Sequence, residues 1–289
     1  MPPQGVIQKA VLSVVQRLVP SSLRTRLGGL RRALAARSYA GTTHACSVCG
    51  AGLRGFRPLA ALEGGKYVAD VDVAGRVHKA ADYETLNLEA FQCPACAAPD
   101  KARLYALYLA ERLPSLTAPA RLVHFAPEGG LSTFIKGVNP GIEYRTADLN
   151  RSDVDDQADL TDLRCYADAS VAAFLCSHIL EHVPDDRAAM RELFRILHPR
   201  GFGIVMVPIL LSLDGTYEDP SKTTPAERLR HFGLEDHLRI YAKADFVARL
   251  QKVGFAVDTF GVEHFGAERF RRHGITPTSV LYVVRKPAD

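Results

Sequence analysis

Hydrophobic positions along the 289-residue chain divide it into three regions. At the start, Ile7, Val11, Val14 and Leu18 recur at spacings of 4, 3 and 4, and Pro20 ends the run. Ser21 or Ser22 can cap a second run in which Leu23, Leu27, Leu30 and Leu34 repeat that spacing. Both stretches predict short amphipathic helices. The middle of the chain has little periodicity, with short apolar pieces at residues 66–71 and 77–78 that suit extra strands. Beyond Lys101, helical and strand patterns alternate as an α/β sheet requires. Helices are predicted over 103–112, from Ser132, over 184–197 and over 244–252. Strands are predicted at Leu122–Phe125, Ile142–Ala147, Val171–Cys176, Ile204–Val207, 257–262 and 280–284, with a turn at His198–Gly201.

Charge divides the chain at a similar place. Residues 1–62 hold nine basic side chains and no acidic one, whereas the remaining 227 residues carry 27 basic and 32 acidic groups. The net charge of +4 is therefore a basic head on a mildly acidic body, an asymmetry that points to an anionic partner. The arginines between Arg24 and Arg37 lie opposite the leucine stripe. Simple docking of that stripe on the body is the leading expectation for residues 6–37, ahead of a membrane surface or RNA. The run lacks the interleaved aromatics that stack on single-stranded bases. No stretch reaches the roughly eighteen apolar residues of a membrane span, and polar residues break the first apolar segment too often for a secretory signal. A mitochondrial presequence is the less favoured alternative to a cytoplasmic location.

Four of the six cysteines form two C-x-x-C turns, Cys46-Ser47-Val48-Cys49 and Cys93-Pro94-Ala95-Cys96. Each turn aims two thiolates at one ion, and together they complete a four-cysteine set typical of structural zinc. Such a site has no open position for a substrate. The intervening stretch is longer than the roughly 15–20 residues of an ordinary ribbon. His44 reads as a surface residue rather than a ligand. Cys165 and Cys176 read as buried single thiols.

In an open parallel sheet, ligands bind beyond the carboxyl ends of the strands. The informative positions are then Ala126-Pro127-Glu128-Gly129-Gly130 after the first strand, Asp148 with Leu149 after the second, and Ser177-His178 after the fourth. Asp148 is placed to accept from two ribose hydroxyls, which suits either a nicotinamide dinucleotide or S-adenosylmethionine. Glu128 would repel a pyrophosphate in the first turn but can face the ammonium of S-adenosylmethionine.

These segments resemble the class I S-adenosylmethionine-dependent methyltransferases: a first-strand loop, an acid after the second strand, and the turn Leu197-His198-Pro199-Arg200-Gly201 before the fifth. More narrowly, the chain resembles a bacterial subgroup with an N-terminal zinc ribbon and an H-F-A-P-E first loop. Shared segments are Cys176 to His182 (C-S-H-x-L-E-H), Thr216 to Asp219 (T-x-E-D) and Phe232 to Tyr241 (F-G-x-x-D-H-x-R-x-Y). The resemblance implies a Rossmann-like α/β sheet, mostly parallel with an antiparallel last strand, and adenine held by Asp159 and Leu160. Asp155, Asp156 and Asp162 compete for that register. Only the third glycine of the family's usual first loop remains, as Gly130.

The expected organisation is a basic helical extension over 1–41, a zinc ribbon over 42–102 and a methyltransferase domain over 103–289. The expected activity is methyl transfer to a small molecule or a sugar oxygen, with S-adenosylmethionine and a structural zinc ion. His178 is the first candidate base, because a hydroxyl acceptor must lose its proton. His182 lies four residues on and either shares its face or packs. His237 oriented by Asp236 is the second candidate base, near Arg239 and Tyr241. Glu218 and Asp219 contact substrate or are solvated. The rivals are an RNA methyltransferase and a non-catalytic binding protein.

Overall fold

The computed structural model describes residues 34, 36–62 and 70–287. The two amphipathic runs, apart from the end of the second, and the apolar piece at 66–69 lie outside the described residues. Among the described residues, no helix is long and apolar enough to cross a membrane.

Strands β1 (Ala40–Ala45) and β2 (Gly52–Leu53) pair antiparallel around the first C-x-x-C turn. Between the two cysteine pairs, β3 (Val71–Val73) and β4 (Arg76–His78) form a second hairpin, which takes in Val71 from the first expected piece and Val77 and His78 from the second. The second C-x-x-C turn leads into α1 (Asp100–Arg112), whose inner face is almost continuously buried.

The body is a seven-stranded sheet. Its strands are β5 (Arg121–Phe125), β6 (Glu143–Asp148), β7 (Asp156–Gln157), β8 (Val171–Ser177), β9 (Leu197–Met206), β12 (Ala256–Phe260) and β13 (Leu281–Arg285), in the order β12-β13-β9-β8-β5-β6-β7. β5, β6, β7, β8 and β9 run parallel, and β13 is antiparallel to both of its neighbours. β8 is buried along nearly its whole length, as expected of a strand covered on both faces. The small pair β10 (Tyr217–Glu218) and β11 (Arg239–Ile240) lies outside this sheet.

Helices α2 (Gly129–Val138), α3 (Asp186–Ile196), α4 (Pro225–Phe232), α5 (Lys243–Val253), α6 (Val262–Phe265) and α7 (Ala267–Arg272) complete the fold. Asp185 caps α3 by accepting from the Ala188 amide, and Thr224 caps α4 in a reciprocal box with Glu227. Each cap satisfies backbone donors that the first helical turn leaves unpaired.

Helices α4 and α7 fall where none was predicted, and local expectations shift elsewhere as well. α2 begins at Gly129 rather than Ser132. The turn at His198–Gly201 lies within β9: Val171 pairs with Leu197 and Ala173 with Phe202, so the four residues bulge between two paired stretches. The strand predicted to reach Val262 stops at Phe260, and Val262 opens α6. Cys165 is exposed in a turn before β8 and not buried, whereas Cys176 is buried within β8.

One hydrophobic cluster runs from Cys46, Val48, Leu53, Phe56 and Cys93 into the sheet. The cysteine module therefore shares its core with the body. A smaller cluster joins Val71, Val73 and Tyr83 to Leu210, Phe232 and Ile240, holding the insert hairpin over the body. Arg103, fully buried at the start of α1, locks the modules together. Its guanidinium donates to the carbonyls of Phe91, Ala98 and Ala90 on the ribbon side, and to His273 and Gly274 near the C-terminus. It also stacks 3.9 Å from the centre of the Phe56 ring.

Candidate functional site

The four paired cysteines converge. Their sulfurs lie within 4.8 Å of one another, with Cys46 Sγ to Cys96 Sγ at 3.7 Å and Cys49 Sγ to Cys93 Sγ at 3.9 Å. A tetrahedral zinc with Zn–S bonds of about 2.3 Å separates its sulfurs by about 3.8 Å, so the donor set fits that ion. The second knuckle packs on α2: a Cβ added at Gly130 would lie 3.3 Å from the Cys96 carbonyl oxygen. Gly130 thus has a packing reason to lack a side chain, independent of any ligand. His44 is not drawn into the cluster; its Nδ1 meets the Arg271 carbonyl oxygen at 3.1 Å.

The first loop follows β5 with Ala126 at φ 47°. Glu128 is already engaged. Its Oε2 lies 2.9 Å from His124 Nε2, while His124 Nδ1 lies 2.9 Å from the Tyr144 hydroxyl. Tyr144 donates to Ser132 Oγ, which donates to the Glu128 carbonyl. That direction makes His124 Nδ1 a donor and puts one proton between Nε2 and the Glu128 carboxylate. Burial works to raise the Glu128 carboxyl, but the His124 hydrogen bond and nearby cations win and hold it below its ordinary value. His124, which the sequence shows only as the first residue of the H-F-A-P-E loop, is the partner that holds Glu128. The Pro127 carbonyl is tied to Arg151 Nη1 at 2.9 Å.

Asp148 ends β6 and accepts from the amides of Asn150 and Arg151 through Oδ1. Among the described residues its Oδ2 has no hydrogen bond. Leu149 beside it is 58% exposed, and an apolar side chain so placed can cover the face of a ligand. Asp159 spends Oδ1 on the amide and hydroxyl of Thr161, and Leu160 is buried. Of the competing acids, Asp155 binds Thr146, Asp156 pairs with Arg145, and Asp162 pairs with Arg164.

Beyond β5 and β8 lies a cavity of about 400 Å³. Glu128, His178, Glu181, His182, Lys101 and His237 are among its lining, and Tyr83 and Phe91 border it from the ribbon side. Asp148, Asp159 and Leu160 do not line it. Ser177 is buried at its edge, with its hydroxyl 3.0 Å from that of Tyr105. His178 adopts φ 55°, an uncommon backbone for a residue with a side chain. Its Nδ1 lies 3.3 Å from Glu181 Oε1, and its buried Nε2 has no hydrogen-bond partner. Burial lowers the His178 pKa, with Lys101 adding to the effect.

Glu181 is the residue that spacing alone did not single out. It is fully buried, and apart from the His178 Nδ1 contact at 3.3 Å from Oε1 neither carboxylate oxygen has a partner in hydrogen-bond geometry. Burial alone would raise its pKa, but the imidazoles of His178, His237 and His182 pull it to about 2. The Asp236–His237 pairing expected from their adjacency is not formed. Asp236 Oδ2 sits 3.3 Å from His182 Nδ1, and His237 Nδ1 meets the Phe232 carbonyl at 3.0 Å. Consecutive residues of this loop point apart, and helix capping of α4 fixes which way His237 faces. Arg239 and Tyr241 are structural: Arg239 donates to the carbonyls of Leu180, Val183 and Pro184, and Tyr241 donates to Asp186. Together they fix the segment that carries Glu181 and His182. Glu218 serves the same framework by pairing with Arg239 and Arg249, while Asp219 binds Ser221 and Lys222.

No curated protein matches the sequence. Among solved structures, the chain is similar to an S-adenosylmethionine-dependent methyltransferase from Archaeoglobus fulgidus (13% identity, 64% of this chain and 94% of that one, TM-score 0.42). It is also similar to the YcgJ protein of Bacillus subtilis (14%, 64% and 100%, TM-score 0.40). A third is phosphoethanolamine N-methyltransferase 2 of Haemonchus contortus in complex with S-adenosyl-L-methionine (11%, 63% and 52%, TM-score 0.40). Residues 136–205 match a family model described as a methyltransferase domain, and the seven-stranded, mostly parallel sheet around them fits the Rossmann-like fold of such a domain.

Proposed function

We propose that the protein is an S-adenosylmethionine-dependent methyltransferase that methylates an oxygen of a small molecule or sugar. The observation that carries this reading is the family match over residues 136–205, which spans Asp148, Ser177 and His178 at the carboxyl edge of the sheet. S-adenosylmethionine, when bound, supplies a methyl group already activated on a sulfonium. Asp148 Oδ2 is available to the ribose hydroxyls, with Leu149, Asp159 and Leu160 toward the adenine. Glu128, held by His124, offers its second oxygen to the ammonium. The amides of Gly129 and Gly130, at the N-terminus of α2, suit the carboxylate.

The acceptor occupies the cavity. Alignment of its oxygen with the methyl carbon supplies most of the acceleration. As the oxygen–carbon bond forms and the carbon–sulfur bond breaks, the acceptor proton passes to a base. His178 Nε2 is that base, because burial disfavours a charge on the ring, Nδ1 faces Glu181, and no hydrogen bond uses Nε2. His237, its Nδ1 committed to the Phe232 carbonyl, is held on the cavity wall. The four thiolates hold a structural zinc that fixes the ribbon against α2. Their paired, reduced state agrees with a cytoplasmic setting.

Calorimetry with S-adenosylhomocysteine tests the reading. Ligand at about a hundred times its dissociation constant is expected to stabilise the protein by about 2.7 kcal/mol, and Asp148→Ala is expected to remove most of the melting shift. Absence of binding heat at millimolar ligand refutes it.

A further inference from the structure

We propose that Glu181, His182 and His237 form a second metal site, at the wall of the cavity, that takes a divalent first-row ion such as zinc. One ligand atom from each residue lies within 4.8 Å of the others. Zinc bound at about 2.0–2.2 Å holds nitrogen and oxygen donors about 3.3 Å apart, so closing the triad needs side-chain movements of about an ångström.

Three features argue for ligation rather than chance proximity. The Glu181 carboxylate is completely buried, Oε2 has no polar partner in hydrogen-bond geometry, and Oε1 has only the His178 Nδ1 contact at 3.3 Å. A buried anion with one such contact is costly, and a cation between it and the other two imidazoles offsets that cost. Each histidine also has its Nδ1 committed elsewhere. His182 Nδ1 faces Asp236 Oδ2 at 3.3 Å, and His237 Nδ1 faces the Phe232 carbonyl oxygen at 3.0 Å. That is how metal-binding imidazoles are oriented: a carboxylate or carbonyl takes one N–H and leaves Nε2 as the ligand. The two rings stand at 84° to each other with centroids 4.7 Å apart, so they can approach one ion from different directions.

The donor set is two imidazoles and one carboxylate, a combination that suits zinc. Three protein ligands leave a coordination position open, and all three residues line the cavity. This separates the site from the closed four-cysteine cluster. An oxygen donor of the acceptor fits the open position, where the ion would lower the proton affinity of a hydroxyl. That role rests on the methyltransferase reading; the ligation does not.

Metal analysis of the full chain decides the matter. After loading with zinc and removal of excess, the wild type is expected to hold two zinc ions per chain, and His182→Ala one. His182 is part-exposed, so that substitution leaves the core intact. His237→Gln is expected to lose the same ion, and Asp236→Ala to weaken it by about 10–100-fold. Cobalt substitution identifies which ion is lost: the four-cysteine site gives intense sulfur-to-cobalt charge transfer, the Glu181 site only weak d–d bands, and His182→Ala should abolish the weak bands alone. A wild type that binds one zinc, with cobalt showing only the sulfur signature, overturns the inference, as does a second ion retained in His182→Ala. S-adenosylhomocysteine binding measured on the same samples separates the two readings. Binding with one zinc sinks the metal site and keeps the methyltransferase, whereas two zincs without binding do the reverse.

Discussion

Replacing Arg103 with lysine tests whether the ribbon and the body are one folding unit. The charge is preserved, so the substitution isolates geometry. The guanidinium satisfies five backbone carbonyls, three on residues 90–98 and two on residues 273–274. An ammonium has three donors at one nitrogen, so at least two carbonyls lose their partner. Leaving a buried acceptor unsatisfied costs about 1–3 kcal/mol each, and losing the stack on Phe56 adds about 0.5–2 kcal/mol. Three of the five bonds are only partly buried, so the lower half of the range applies, about 3–5 kcal/mol in all. That is a large share of a typical stability of about 5–15 kcal/mol. Equilibrium urea unfolding of the zinc-loaded protein reads this directly as a lower midpoint with the slope unchanged. The second knuckle hangs on three of these bonds, so the variant should also release zinc faster to a chromophoric chelator. A loss under about 1 kcal/mol together with unchanged zinc release refutes the locking role.

Burial raises the Asp100 carboxyl to about 6, above its unfolded value of about 3.9. Its stabilising contribution is therefore complete below about pH 4 and lost as pH rises through about 6, amounting to about 3 kcal/mol at most. Across pH 4 to 7 the stability difference between wild type and Asp100→Asn should move toward the variant by up to that amount; a pH-independent difference in urea midpoint refutes it. In Gly203→Ala the new Cβ would collide with the Phe174 ring, between β8 and β9. Overpacking of this kind costs about 1–3 kcal/mol, so the melting temperature should fall by several degrees, and an unchanged value contradicts the packing. Cys93→Ser removes one of four thiolates, so the sulfur-to-cobalt charge transfer should weaken and the metal should be lost faster to a chelator. An unchanged intensity would place the ion elsewhere.

Much of the sheet was legible because its strands carry their own signals. The run from Val171 to Ser177 is apolar enough to require cover on both faces, whereas α4 was not predicted although Thr224 and Glu227 form the capping box at its start. The cysteine turns were legible for the same reason: two thiolates at i and i+3 need only local geometry to face one ion. The bulge in β9 was not, since its Leu-x-Pro-x-Gly residues have turn chemistry and only pairing with β8 makes them part of a strand. Cys165 was misplaced because a lone thiol reveals nothing of its exposure.

Legibility failed most at the cavity, where each assignment depends on partners distant in sequence. Asp236 and His237 are neighbours in the chain, yet one turns to His182 and the other to the carbonyl that ends α4. Glu181 sits in a segment whose flanking histidines drew attention first, and its burial comes from the Arg239 guanidinium gathering the carbonyls of residues 180, 183 and 184 around it. Gly130 was read as one residue of the candidate cofactor loop, and its approach by the second knuckle of the ribbon depends on partners the loop itself does not reveal. The same knuckle continues into Pro99, Asp100 and Lys101 on the cavity wall. The cysteine module supplies one wall of the pocket and abuts α2, so packing from outside holds the loop that precedes that helix.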